Sequence, residues 1–237
     1  MCDIDFSSVD WESFRSAQEA SAQHDTVRRF YQACKLDPNQ PIKKASFVAL
    51  DFETTGLTPE VHEIISVGMV PFTAGRIQLN DSRSWLVKPR KQLADDSVLI
   101  HGITHADLEQ APDLMEVLDD ILAVLASKVV VVHFKYIERD FLYHQVQQRL
   151  GDELLFPLID TMAIEAFFHR QQIGAKLKRL LGGKPVSIRL ADSRGRYGLP
   201  RYPLHSAMTD ALATAELLQA QLRHHYDDSR VIGDLWE

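Results

Sequence analysis

The chain has 237 residues, 45% hydrophobic and 25% charged, with 26 Lys+Arg against 33 Asp+Glu for a formal charge of −7. That composition is ordinary for a globular protein and excludes wholesale disorder, collagen-like repeats and low complexity. The most apolar stretch, 121–134, is broken by Lys128 and too short to cross a bilayer, and the acidic N-terminus lacks a secretion signal, so no membrane partner is expected. Cys2 and Cys34 cannot form a disulfide framework or a zinc site of their own, and the expected setting is a reducing cytoplasm.

Val27, Phe30, Tyr31 and Cys34 fall at i, i+3, i+4 and i+7, one face of a helix, and Trp11 and Phe14 mark another short helix. Leu36-Asp37-Pro38-Asn39-Gln40-Pro41 then breaks the pattern. Residues 1–44 therefore read as a helical extension that packs on the main domain or on a partner. A strand is expected over 46–53, with Val48, Leu50 and Phe52 on one face and Ala49, Asp51 and Glu53 on the other. Residues 63–72 and 83–87 read as further strands of an antiparallel meander. Asp113 caps a helix running to about Ser127, with Leu114, Leu118, Ile121, Leu122 and Leu125 on its buried face. The four valines at 129–132 have the pattern of a strand buried on both faces. A helix over 137–150, a strand over 154–159, a helix from Thr161, a short helix within 187–197 and a long one over 207–225 complete a domain spanning 45–226. Residues 227–237 are left as a tail. Strands first, then alternating helix and strand, predict an α/β fold with a mixed sheet flanked by helices.

The charge is unevenly spread. Residues 170–201 hold nine basic side chains, Arg194, Arg196 and Arg201 among them, against the one acid Asp192. A charge run is commonly a solvated face, yet an acidic body with one basic block also suits a polyanionic substrate.

Asp51 and Glu53 sit two apart at the end of an apolar strand, so period two aims both carboxylates to one side of the sheet. Two neighbouring carboxylates resist joint ionisation unless something positive lies between them. The following Thr54-Thr55-Gly56-Leu57 turns at Gly56 and offers hydroxyls and backbone N–H groups beside the acids. Asp140 follows the valine strand and His133, within the first turns of a helix. Asp210 opens the last long helix on the edge of a stripe of small residues, with His205 five positions earlier. Four carboxylates, no useful cysteine and one nearby histidine make a hard oxygen site suited to Mg²⁺ or Mn²⁺ rather than zinc. Two such ions with a histidine base would perform phosphodiester hydrolysis.

Asp51-Phe52-Glu53-Thr54-Thr55-Gly56-Leu57, His101-Gly102-Ile103-Thr104, Asp140, and His205 followed after four intervening residues by Asp210-Ala211 resemble the motifs of the DnaQ-like DEDDh 3′→5′ exonucleases. That family includes the proofreading subunit of bacterial DNA polymerase III and RNase T. The resemblance covers about 46–222 and implies a ribonuclease H-like fold with release of nucleoside 5′-monophosphates. It makes Asp51, Glu53, Asp140 and Asp210 the ligands of two Mg²⁺ ions, replaceable by Mn²⁺, and His205 the general base. Thr54, Thr55, Gly56, Leu57, His101 and Phe134 become substrate contacts, with Leu57 wedged against the terminal base. The second motif of the family commonly reads His-Asn, three residues, then Asp. Here His133-Phe134-Lys135-Tyr136-Ile137-Glu138-Arg139-Asp140 is two residues longer and lacks the Asn. Phe141-Leu142 follow Asp140 as that pattern requires, so Asp140 is the expected acid and Glu138 the lesser candidate. Phe134 and Tyr136 read either as base-stacking or as core residues.

The expected substrate is a single-stranded or frayed 3′ end of DNA, with RNA and a homodimer left open. The short tail makes no polymerase partner evident. The competing readings are a non-catalytic nucleic-acid-binding or adaptor module of the same fold and a hydrolase of short oligoribonucleotides.

Overall fold

The computed structural model describes residues 8–91, 102–171, 184–203, 206–227 and 229–237. Cys2, His101 and His205 lie outside them. Two helices, α1 (Trp11–Ser21) and α2 (Asp25–Ala33), precede the strands β1 (Ser46–Thr54), β2 (Ile64–Thr73), β3 (Arg76–Ile77) and β4 (Arg83–Leu86). The chain continues through α3 (His105–Glu109), α4 (Leu114–Leu125), β5 (Val129–Val132), α5 (Lys135–Leu150), β6 (Leu158–Asp160), α6 (Thr161–Ala166), α7 (Leu190–Arg196) and α8 (Ala207–His225). Among the described residues no helix is long and apolar enough to cross a membrane.

The strands form one mixed sheet in the order β3-β2-β1-β5-β6, with β4 also paired to β2. β1 runs antiparallel to β2, with Asp51 opposite Gly68 and Glu53 opposite Ser66. It runs parallel to β5, with Ala49 opposite Val131, and β5 runs parallel to β6, with Val132 opposite Asp160. All four residues of β5 are buried, as a strand covered on both faces requires. The carboxyl ends of β1, β5 and β6 thus meet at one sheet edge, where open α/β sheets build their sites.

Two boundaries differ from the sequence reading. Helix α5 starts at Lys135, not 137, because Asp160 draws the chain into the helix early: its carboxylate accepts hydrogen bonds from Phe134 N (3.0 Å) and Lys135 N (3.1 Å). Strand β6 is confined to 158–160, and Leu154, Leu155 and Phe156 before it are buried without strand pairing.

Helix α8 lies across β1 and β2. Its stripe of Ala207, Ala211, Thr214, Ala215 and Leu218 is buried. The closest approach is at Gly68, where a Cβ would stand 2.3 Å from the carbonyl carbon and oxygen of Ala207 and 2.5 Å from Met208 N. Only a residue without a side chain admits the helix backbone this close to the sheet.

The N-terminal helices pack on the body of the protein. Val27, Phe30, Tyr31 and Cys34 are all buried in the main core, the face expected from their spacing. Tyr31 Oη accepts a hydrogen bond from Leu155 N at 2.9 Å, and the Asp152 carboxylate accepts from Gln23 N and His24 N at 2.7 Å each.

The basic block is less of a surface than its composition implies. Arg194 is 3% exposed, and its guanidinium donates to Ala213 O (2.6 Å), Pro200 O (2.9 Å) and Glu216 (2.6 Å). Arg196 pairs with the fully buried Glu165 carboxylate, which also accepts from Tyr197 Oη at 2.7 Å and Gln221 Nε2 at 2.9 Å. Two of the three arginines expected to face substrate are therefore held in ion pairs, Arg194 buried and Arg196 at the surface, and Arg201 is exposed.

Candidate active site

Strand geometry brings the first acids together. Asp51 and Glu53 project from the same face of β1, and the first turn of α8 delivers Asp210, whose backbone N–H bonds Ser206 O at 2.9 Å. One carboxylate oxygen from each of Asp51, Glu53 and Asp210 lies within 4.8 Å of the others, a grouping that could hold a metal ion. Three of the four expected ligands thus come from distant parts of the chain to one point.

The further acid whose charge acts on Asp51 is Glu138 rather than Asp140. The charges acting on Asp51 are those of Glu138, Asp210 and Glu53. Burial first, and then these three charges, hold the Asp51 carboxyl well above the ordinary carboxylate range. Burial likewise pushes Glu138 up, reinforced by the charges of Asp160 and Glu53 and opposed by a backbone hydrogen bond from Phe52 on β1. Helix periodicity explains the exchange. Glu138, Phe141, Leu142 and Gln145 stand at i, i+3, i+4 and i+7 and are all buried, so Glu138 belongs to the row of α5 that faces the sheet. Asp140, two residues on, is turned by about 200° and is buried on another side of the helix. Spacing from Phe141 and Leu142 could have identified this row in the sequence.

A cluster of this kind cannot stay fully ionised alone. Glu138 Oε2 is buried with no hydrogen-bond partner among the described residues. Such an atom is costly unless a cation or a proton satisfies it. Four hard oxygen donors with crowded charge fit Mg²⁺ or Mn²⁺. The residues present therefore suit a divalent cation on chemical grounds.

The surrounding groups divide into framework and open surface. Thr54 Oγ1 donates to Gly56 O (2.7 Å), Thr55 N donates to Glu63 O (2.9 Å) and Glu63 N donates to Thr55 Oγ1 (3.0 Å). These bonds close the 54–63 turn and push Leu57 outward, where it is 82% exposed. His133 is framework: its ring nitrogens lie 2.8 Å from Thr161 Oγ1 and 3.1 Å from Ile188 O, and burial lowers its pKa. Phe134 and Tyr136 are 40% and 37% exposed, which removes the core reading for both rings. A cleft of about 320 Å³, lined by Leu190, Arg194, Tyr202 and Asp210 among others, opens beside the acids.

Residues 48–218 match the RNase T exonuclease family model. A PolC-type DNA polymerase III of Thermotoga maritima is 35% identical over 182 residues, which is 77% of this chain but 12% of that protein. A DNA polymerase III subunit epsilon-like protein of Rhodobacter capsulatus is 29% identical over 177 residues, 74% of this chain and 23% of the other. The chain thus spans under a quarter of the length of these relatives. Among solved structures, the nuclease domain of 3′hExo, a DEDDh family member bound to rAMP, superposes with a TM-score of 0.62 at 20% identity, covering 76% of this chain and 93% of that one. That likeness is one of fold: a mixed sheet flanked by helices of the ribonuclease H-like exonuclease type.

Proposed function

Because the chain belongs to the RNase T exonuclease family and is a nuclease of that fold, we propose that it is a metal-dependent 3′→5′ exonuclease acting on single-stranded or frayed DNA ends. The observation that carries the proposal is the convergence of Asp51, Glu53 and Asp210 within 4.8 Å, with Glu138 within charge range of Asp51. In this reading Asp51, Glu53, Glu138 and Asp210 hold two divalent ions, and Asp140 gives up the role that motif spacing assigned to it. Bound ions of this class supply Lewis-acid activation of water and neutralise charge at the scissile phosphate.

The remaining roles fall to the chain itself. Leu57, held out by the 54–63 turn, presses on the terminal base, the backbone of Thr54, Thr55 and Gly56 lines the phosphate side, and His101 keeps the substrate-contact role that its motif suggests. His205 takes the proton from the attacking water. The water oxygen bonds to phosphorus, the bond from phosphorus to the 3′ oxygen breaks, and that oxygen is protonated as the nucleoside 5′-monophosphate leaves. The names of the polymerase III relatives favour DNA over RNA.

The test is hydrolysis of 5′-labelled and 3′-labelled oligonucleotides, DNA and RNA in parallel, with Mg²⁺, Mn²⁺ or EDTA. The expected result is a descending ladder from 5′-labelled DNA, release of labelled mononucleotide from 3′-labelled DNA, and no cleavage in EDTA. Internal cuts, or cleavage that survives EDTA, would overturn it.

A further inference from the structure

We infer that Phe134 and Tyr136 form a rigid aromatic platform that stacks an unpaired nucleobase of the substrate strand beside the acid cluster. The inference rests on the nuclease reading above and names what holds the strand there.

The first observation is backbone conformation. Among the described residues, Phe134 is the one non-glycine residue with positive φ (φ 89°, ψ 76°). A bulky side chain in the left-handed region is strained, and such strain persists where surrounding structure over-determines it. Here the over-determination is visible. The buried Asp160 carboxylate at the end of β6 accepts hydrogen bonds from Phe134 N, Lys135 N and Met162 N at 3.0, 3.1 and 2.8 Å. The body of the protein thus clamps an unfavourable turn to hold one ring in one direction.

The second observation is what the clamp presents. The Phe134 ring is 40% exposed and packs edge-on against Tyr136, also exposed, with centroids 5.3 Å apart. Lys135 Nζ lies 5.6 Å from the Tyr136 ring centroid and is paired with the Glu237 carboxylate, which fixes the lysine beside the rings. A strained turn that buried its ring would read as packing. One that exposes an aromatic pair reads as a contact surface.

The third observation is place. Ala49 and Val131 are register partners in the parallel β1/β5 pair, so Asp51 and His133 reach the same level and Phe134 emerges just beyond it. Phe134 is the N-cap of α5, whose first turn carries Glu138 within charge range of Asp51. A strand whose terminal phosphodiester lies at the acids therefore passes this platform with its bases unstacked. Every base has a π-face, so the contact selects single strands over duplex without reading sequence.

The test uses the full chain and a short single-stranded DNA carrying 2-aminopurine near its 3′ end, titrated in Ca²⁺ buffer. Stacking on the platform quenches the fluorophore in the wild type. Phe134→Ala and Phe134→Gly are expected to lose the quench and raise Kd by between about 5-fold and about 150-fold, while Phe134→Trp keeps both. Phe134→Gly also relieves the positive φ, so its Tm is expected to rise by about 2–4 °C as its affinity falls. A ring that only stabilised the fold would lower both. Hydrolysis of thymidine 5′-monophosphate p-nitrophenyl ester by the wild type is measured alongside. Wild-type protein that hydrolyses the ester but gives no quench overturns the platform. So does Phe134→Gly protein with wild-type quench and affinity, the outcome expected if the rings serve a protein partner. Wild-type protein inert toward both ester and oligonucleotide refutes the nuclease reading instead.

Discussion

Substituting Gly68 by alanine should disable the acid cluster without unfolding the protein. The added Cβ would stand 2.3 Å from the carbonyl carbon and oxygen of Ala207 and 2.5 Å from Met208 N, while ordinary contact begins at 3.4 Å. The first turn of α8 must therefore retreat by about 1.1 Å, and because the obstructing atoms are backbone, no side-chain rotation relieves the clash. That turn carries Asp210, and Gly68 is the cross-strand partner of Asp51, so the retreat opens the gap between two of the proposed ligands. Magnesium tolerates little departure from its ~2.1 Å bonds, and a misplacement of about 1 Å in a reacting geometry costs on the order of 100-fold. Overpacking itself costs about 1–3 kcal/mol, or a drop in Tm of roughly 2–4 °C per kcal/mol. The assay is Mn²⁺ affinity by calorimetry, with Tm and oligonucleotide hydrolysis on the same preparations. Gly75→Ala, whose Cβ would meet nothing within 4 Å, is the control and should match the wild type. Gly68→Ala protein that binds Mn²⁺ within about twofold of wild type would refute the reasoning.

Arg194→Met should lower stability by about 3 kcal/mol, because it strips a buried guanidinium from Glu216 and two carbonyls. The salt dependence of oligonucleotide affinity should stay as in the wild type, and a flatter slope would return Arg194 to the substrate surface. Mg²⁺ should stabilise the protein by about 2.7 kcal/mol at a hundred times its Kd, read as a rise in Tm over an EDTA sample. That rise has a definite pH dependence. Asp51 and Glu138 have carboxyls raised above their unfolded values, so in EDTA their contribution is intact below the unfolded pKa and lost as pH rises through the folded one. The gain from Mg²⁺ should therefore grow from pH 5 to pH 8, and a gain that shrinks over that range would contradict a carboxylate site.

Much of this molecule was legible because short-range patterns decide it. Alternation along β1 placed Asp51 and Glu53 on one face, four valines marked a doubly covered strand, and the small-residue stripe of α8 foretold its close approach to the sheet. What escaped the reading depends on distant partners. Nothing local in Arg194 or Arg196 reveals that Glu216 and Glu165 will pair with them and that Arg194 will be buried, so the whole basic block looked like open surface. Motif spacing pointed to Asp140, but a helix starting at Lys135 puts Glu138 in the sheet-facing row with Phe141 and Leu142. The start itself is set by Asp160, twenty-five residues beyond Lys135 and invisible to local propensity. The helical extension was legible as helices, yet its seat on Asp152 and Leu155 was not, since those contacts join segments more than a hundred residues apart.

The account turns on which carboxylates act together, and one side-by-side measurement tests that most directly. Glu138→Gln and Asp140→Asn protein, each checked for wild-type-like melting, are assayed on 5′-labelled single-stranded DNA in Mg²⁺. Glu138→Gln should lose at least about 100-fold of the stepwise 3′→5′ degradation, while Asp140→Asn stays within about tenfold of wild type. The reverse pattern, or full activity in both, would contradict a site built from Asp51, Glu53, Glu138 and Asp210.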